Sequence, residues 1–475
     1  MGNRKRYWTG LDELEETPAF KESLAHEFPQ TQSVDQFLAD DRLAENSAGR
    51  RDFLKFMGFS LAAATLAACE TPVVKSIPYV NKPEEITPGV ANYYASTYYD
   101  GQDYGNLLVK TREGRPIFIK GNKEHGIGGG SLNARINSSV LGLYDSARLN
   151  GPMADGKAST WTEVDEAVAA GLKSAKNVVV LSNTIISPSA QRAIDSFTAT
   201  YSGRHIQYDA ISYSGIRAAH KAVLGKSVIP ALSFDKARTI VSIGADFLST
   251  WMLSNVYTPD YAKGRKPGKD MSKHYQFEAC MSLTGSNADV RVMIKPSQEG
   301  AVAVALYNAV TGKEAASIEG VSANAIASAA SDLKKNAGKS LVVSGSNDQA
   351  IQQVVAALNK ELGNYGSTLD ANNGVNLYQG NPAEMEALVA EMKSGSVDAL
   401  IVYGANPAYD WQNAAAFNEG LAKVGTSVSF ALVKDETAAG CKFVCPDHHY
   451  LESWNDLSIV NGRVDLVQPT ISPLF

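Results

Sequence analysis

Near its carboxyl end the chain reads CKFVCPDHHYLESW, which gathers Cys441, Cys445, His448 and His449. All four are residue types that ligate zinc, but the run is too compact to supply two separated ligand arms. Buried thiols are the expectation. On a strand, four residues at about 3.3 Å each hold Cys441 and Cys445 about 13 Å apart, too far for a disulfide. A second chemistry is offered by two near-copies, IVSIGADFLSTW and IVYGANPAYDW. They place Gly244-Ala245-Asp246 and Gly404-Ala405-Asn406 just after apolar runs. At the carboxyl end of a parallel strand, glycine admits a ligand to the backbone, and Asp or Asn can accept a ribose or base contact. Tight strand-to-helix turns use the same residues for their own geometry, so both readings stand. His205, His220 and His274 are scattered, with no carboxylate or cysteine spacing around them.

The elements that must position these residues follow a rhythm of strand, loop and helix from about residue 158. NVVVLS (177–182) precedes a helical stretch at 189–201, and ARTIVSIGADF (237–247) is an apolar strand. SLVVSGSND (340–348) leads into the amphipathic QAIQQVVAALNKEL, and VDALIVYGANP (397–407) and SVSFALVKDE are further strands. Continuous apolar strands alternating with helices imply an α/β fold of parallel sheets covered on both faces. The two near-copies make duplicated lobes the economical explanation. Earlier, NLLVKTREGRPIFIKGN alternates in period two on both sides of Glu113-Gly114, which predicts a β-hairpin. The tyrosines Tyr93, Tyr94, Tyr98 and Tyr99 form either a partner surface or an ordinary strand face. Trp251, Trp411 and Trp454 are expected to pack.

The chain has 475 residues, 44% hydrophobic and 20% charged, with a net charge of −6. That balance is normal for a globular core and gives no field favouring nucleic acid. Four cysteines are too few for a disulfide-dense secreted scaffold, and no Cys-x-x-Cys-His is present for covalent haem. From Phe56 to Ala68 the chain is uncharged, with Arg50, Arg51 and Lys55 in front and Cys69 directly behind. The run is short for a membrane span of roughly 20 residues and suits an export signal. RRDFLKF resembles a twin-arginine motif, and LAAC resembles a lipobox whose cysteine, Cys69, is acylated. The arginines lie fifty residues in, far from the usual start. Before them, ETPAFKESLAHEF predicts a helix capped by Thr17 with Pro18 in its first turn and an apolar stripe of Phe20, Leu24 and Phe28.

The expected division is an arm with its signal (1–68), a Pro-rich tether (69–95) and a small β region (96–157). Two α/β lobes follow (158–335 and 336–445), then the start of a further lobe, cut short (446–475).

Several of these stretches carry a family resemblance. NLLVKTREGRPIFIKGNKEH, LYDSARL, IVSIGADF, IVYGANPA and LESWNDLSIVNGRVDLVQPTISPLF resemble landmarks of the molybdopterin oxidoreductases. YWTGLDELEETPAFKESLAHEFPQ, the internal Arg50-Arg51 signal and SLTGSNADVRVMIKPSQEG are similar to the large B subunits of alternative complex III. The resemblance covers nearly the whole chain. It implies a multi-lobed molybdopterin-oxidoreductase-like fold without the molybdenum cofactor. In catalytic relatives, cysteines in the first strand pair and after the GN…H segment bind an iron–sulfur cluster. Here those segments read STYYDGQDYGNLLV and GSLNARI, and no cysteine occurs between Cys69 and Cys280. A cluster needs about four thiolates or close substitutes, so none is expected there. The family's metal ligand would lie near QYDAISYSGIRAAH, where Asp209, Ser212 and Ser214 are the oxygen donors. A loop with a serine helix cap is the preferred reading of that stretch. His125 is expected to hydrogen-bond within its loop.

The resemblance therefore implies a non-catalytic subunit of a quinol-oxidising respiratory complex. It would scaffold iron–sulfur and multihaem cytochrome c components, beside integral membrane quinol-binding subunits. No catalytic, metal-binding or cofactor residues are expected in this chain, and Gly244, Ala245, Asp246, Gly404, Ala405 and Asn406 would be vestigial. Its iron–sulfur clusters would lie in a following region or a partner, and c-type haem in partner subunits. The expected location is the periplasmic face of the inner membrane, reached by a Tat-like route and held through Cys69. The alternatives are an active molybdoenzyme with an oxygen ligand to the metal, and a solitary ligand-binding lipoprotein.

Overall fold

The computed structural model describes residues 86–475, apart from 126, together with residues 17, 18 and 21. The export and anchor residues Arg50, Arg51 and Cys69 lie outside the described residues. In the amino-terminal unit, Pro18 and Lys21 are helical and the Lys21 N–H donates to the Thr17 carbonyl. Residues 89–475 form a second compact unit. Among the described residues, no helix is long and apolar enough to cross a membrane.

This unit opens with an antiparallel meander of β1 (Asn92–Tyr99), β2 (Tyr104–Arg112) and β3 (Arg115–Gly121). The first strand thus begins inside the stretch expected to be tether. Glu113 and Gly114 join β2 to β3 with φ of 53° and 76°. Two positive values match the right-handed twist of a hairpin, which is why a glycine stands there. One face of the meander buries Leu107, Val109 and Ile119 against Ile136, Leu143 and Leu451.

The remaining strands are β4 (Met153–Ala154), β5 (Lys157–Ala158), β6 (Val178–Ser182), β7 (Arg204–Gln207), β8 (Ile229–Leu232) and β9 (Thr239–Ile243). Then come β10 (Lys273–Glu278), β11 (Val290–Met293), β12 (Ser340–Ser344), β13 (Leu369–Val375), β14 (Ala399–Tyr403) and β15 (Thr426–Ala431). The last are β16 (Phe443–Pro446), β17 (Asn455–Leu457) and β18 (Asp465–Val467). A seven-stranded sheet has the order β5-β4-β16-β15-β14-β6-β7, and a four-stranded sheet the order β11-β10-β9-β12. Every residue of β6, β9 and β12 is buried, as expected of parallel strands covered by helices on both faces. The covering helices start on ordinary caps, such as the Thr160–Glu163 capping box and Ser187 ahead of Pro188.

Strand pairing corrects the linear division into lobes 158–335 and 336–445. β6 pairs with β14, which comes about two hundred residues later, and β7 lies outside β6, while β12 completes the sheet of β9. The four-stranded lobe is therefore an insertion into the seven-stranded one. The insertion leaves and returns beside the antiparallel pair β8–β13, where the Ser233 N–H donates to the Thr368 carbonyl at 2.9 Å. Residues 446–475, expected to open a further lobe, pack back on the meander. The Thr97 and Ser96 hydroxyls of β1 donate to the carbonyls of Leu466 and Gln468, both at 3.0 Å, and Leu451 is buried under the meander.

Candidate functional site

At the carboxyl ends of β6, β7, β14, β15 and β16 the chain encloses a chamber of about 690 Å³. Ligands of open α/β sheets bind at this edge, outside the strand ends. Register sets the floor: Tyr403 and Phe430 are neighbours across β14 and β15, and Asn183 follows Ser182, the β6 neighbour of Tyr403. The rings of Tyr403 and Phe430 meet edge to face with centroids 6.4 Å apart. Asp447 follows β16 and is tied to the end of β15, its N–H donating to the Ala431 carbonyl at 3.1 Å. A further part of the wall is the end of β1 and the loop after it, Tyr98 to Gln102. Gly101 and Gly404 have φ of 95° and 63°. A Cβ at either would press on the Asn183 amide, 2.6 Å away from Gly101 and 3.2 Å from Gly404. Glycine at these two points is what lets Asn183 face the chamber.

Among the described residues, the lining carries Asp100, Asp209, Asp410, Asp435 and Asp447, and no lysine or arginine. Burial raises the pKa of Asp410, Asp435 and Asp447 above the usual carboxylate range. Asp209 is raised by burial too, although its hydrogen bonds oppose the shift. Tyr403 is pushed up to about 12 by burial and by the neighbouring Asp447. His449 lies at the edge with its pKa pushed down to about 4 by burial, so it is neutral at pH 7.

A phosphorylated pterin needs cationic side chains or free N–H groups at its phosphates. The chamber instead presents carboxylates, so the residues present do not fit that cofactor. The expected oxygen donors are also engaged. Asp209 accepts from the Thr184 N–H at 3.0 Å, the Thr184 hydroxyl at 2.6 Å and the Gly380 N–H at 2.8 Å. The Ser212 hydroxyl donates to that of Ser214 at 3.0 Å and accepts the Ser214 N–H, a local turn at a helix start.

The two triplets behave alike in their bonding and differently in their setting. Asp246 accepts from the Thr284 N–H at 3.1 Å and its hydroxyl at 2.7 Å, and Asn406 accepts from the Thr437 N–H and hydroxyl at the same distances. Each threonine hydroxyl in turn accepts the N–H two residues beyond, from Leu248 or Ala408, at 3.0 Å. Gly404, Ala405 and Asn406 line the chamber, whereas Gly244, Ala245 and Asp246 do not. A Cβ on Gly345 would sit 2.4 Å from the Gly244 carbonyl, and one on Gly244 would sit 2.7 Å from the Glu299 carboxylate. Backbone and carboxylate fill the space a ligand would take there.

Where the resemblance places cluster cysteines, the two segments meet through a different chemistry. Asp103 accepts from the Asn133 amide at 2.8 Å and from Arg135 at 2.5 and 3.1 Å. His125 accepts the Ile127 N–H at 3.3 Å within its loop, as expected, and also reaches out of the loop to bond Asp465 at 2.8 Å, alongside Tyr104 and Arg463. Cys441 and Cys445 are free and buried, with their thiols pushed up to about 12 and about 11 by burial. Among the described residues, no three His, Cys, Asp or Glu side chains converge on a point suited to a metal ion. Trp251 and Trp411 pack as expected, but Trp454 is 66% exposed, contrary to its expected packing role. Sequence reasoning missed Phe430, Asp435 and Asp447. Their one signal is position, since each ends or follows a buried strand.

No family model matches the chain. It is 25% identical over 490 residues to the menaquinone reductase molybdopterin-binding-like subunit of Nitratidesulfovibrio vulgaris, across 90% of this chain and 70% of that protein. Its structure is similar to acetylene hydratase from Pelobacter acetylenicus, with a TM-score of 0.64 and 13% identity, covering 80% of this chain and 67% of that one. Parallel sheets, covering helices and this likeness together give the chain a molybdopterin-oxidoreductase-like α/β fold.

Proposed function

We propose that the chain is a non-catalytic structural subunit of a membrane-bound, quinone-linked respiratory electron-transfer complex similar to alternative complex III. It would hold iron–sulfur and cytochrome c components in register beside an integral membrane quinone-binding subunit. Electron hops need short and constant distances, which a rigid multi-lobed body supplies. Export past Arg50-Arg51 and acylation at Cys69 would place it on the periplasmic face of the membrane.

The observation that carries this reading is the bonding of Asp103 to Asn133 and Arg135 in the segments that hold cluster cysteines in catalytic relatives. An ion pair closes the space there and offers iron no sulfur. The acidic chamber and the occupied oxygens of Asp209 support it further. So does the similarity to a subunit of a menaquinone reductase.

The test is purification of the full-length chain from its native membrane in mild detergent, with haem staining and metal counting. Cytochrome c and iron in partner subunits, with no molybdenum in this one, is the expected result. Stoichiometric molybdenum in this subunit would overturn the reading in favour of an active molybdoenzyme. A chain that emerges alone, without cytochromes, would overturn it in favour of a solitary lipoprotein.

A further inference from the structure

The chamber remains a ligand-sized space after the pterin is set aside. Its volume of about 690 Å³ lies within the range of small-molecule pockets. Its charge is of one sign, and its aspartates stand apart around the walls without converging on one point. A compact metal ion would therefore meet too few of them at once. An elongated cation with several charged nitrogens would meet them in turn.

Hydrogen bonding leaves acceptors open. One oxygen of Asp435 caps a helix by accepting the Ala438 N–H at 2.7 Å, and one oxygen of Asp410 accepts from the Tyr208 hydroxyl at 3.0 Å. One oxygen of Asp447 accepts the His448 N–H at 2.7 Å. Among the described residues no further side chain bonds these three carboxylates; Asp435 and Asp447 are half-buried and Asp410 is exposed, so all three stay open to a ligand in the chamber. The apolar part of the lining is aromatic. Tyr403 and Phe430 stand side by side on adjacent strands, and Phe430 is 40% exposed although it lies on an otherwise buried strand. Faces of aromatic rings attract ammonium groups and accommodate the methylene chains between them.

We propose that this chamber binds a linear aliphatic polyamine, its ammonium groups paired with Asp410, Asp435 and Asp447 and its methylenes lying on Tyr403 and Phe430. The site is independent of the chain's place in a respiratory complex, since all its residues belong to one compact unit of this protein.

Titration calorimetry of the full-length protein with spermidine tests it. The expected result is saturable one-to-one binding. Asp447→Asn and Asp410→Asn should each weaken it about tenfold, and Phe430→Leu several-fold. Glu166→Gln, at an exposed carboxylate that does not line the chamber, should leave it unchanged. Asparagine keeps the observed Asp410 and Asp447 hydrogen bonds, and thermal melts without ligand verify that the variants fold. Should an aspartate variant fail to fold, Phe430→Leu still decides, because its ring is only partly buried. Absence of saturable binding would overturn the proposal. So would equal competition by magnesium, which would mark general charge screening, or unchanged affinity in the Phe430 variant.

Discussion

Arg148 and Glu452 show what one pair of side chains contributes here. Their side chains are 4% and 0% exposed, and two hydrogen bonds at 3.0 and 2.5 Å join them. Burial alone would raise the Glu452 carboxyl, but the bonds from Arg148 and from the Leu474 and His449 N–H groups outweigh it and hold the pKa below the ordinary value. Glu452→Gln strands a buried guanidinium, and the expected loss is about 3–5 kcal/mol of stability at pH 7 by urea denaturation. A carboxyl depressed in the folded state contributes stability above its unfolded pKa and loses it as the pH falls through the folded one. The gap between wild type and variant should therefore narrow below about pH 4.5, the ordinary value for glutamate. A constant gap down to pH 3 would show that the ion pair is not its source. Nothing in the residue types at 148 and 452 announces this pair, because 304 positions separate them.

The repeated unit among the elements is a strand that ends in glycine, then an Asp or Asn clamped by a threonine from the helix after the next strand. β9 with β10 and the helix Leu283–Ser286 makes it once, and β14 with β15 and the helix Glu436–Gly440 makes it again. Both threonines are fully buried, so removing the hydroxyl leaves the partner oxygen and the N–H at Leu248 or Ala408 without a bond. Thr284→Val and Thr437→Val should each cost about 1–3 kcal/mol, read as a shift in the urea midpoint, while serine at either site should recover most of it. Equal midpoints for the valine and serine variants would count against the clamp. The duplication was legible in the sequence, as was the hairpin at Glu113-Gly114, because turn chemistry is local. Which copy opens on a chamber was not, since Glu299 and Gly345 that close one and Asn183 that faces the other come from distant segments.

At the scale of the molecule, the seven-stranded sheet has its own core around Val179, Leu181, Leu400 and Val402, and a shared cluster beside it joins the lobes. This apolar cluster joins Tyr104 and Ile186 to Phe234, Phe247, Tyr257 and Leu341, and so spans the meander and both lobes. Residues 86–475 should consequently unfold in a single calorimetric transition. A fragment ending at 335, a boundary natural to linear reading, should lack cooperative unfolding, because β14 and β12, the neighbours of β6 and β9, lie beyond it. A cooperative melt of that fragment would refute the interleaved topology. Residue order alone determined the element types, the hairpin, the paired strand-end triplets and the lack of sulfur donors between Cys69 and Cys280. These depend on local propensity, on periodicity or on counting. Strand order decided the rest: which segments share a sheet, which triplet faces a cavity, and how five separate aspartates come to line it. Those outcomes rest on contacts between segments hundreds of residues apart, and side-chain period and turn type carry no information about such partners.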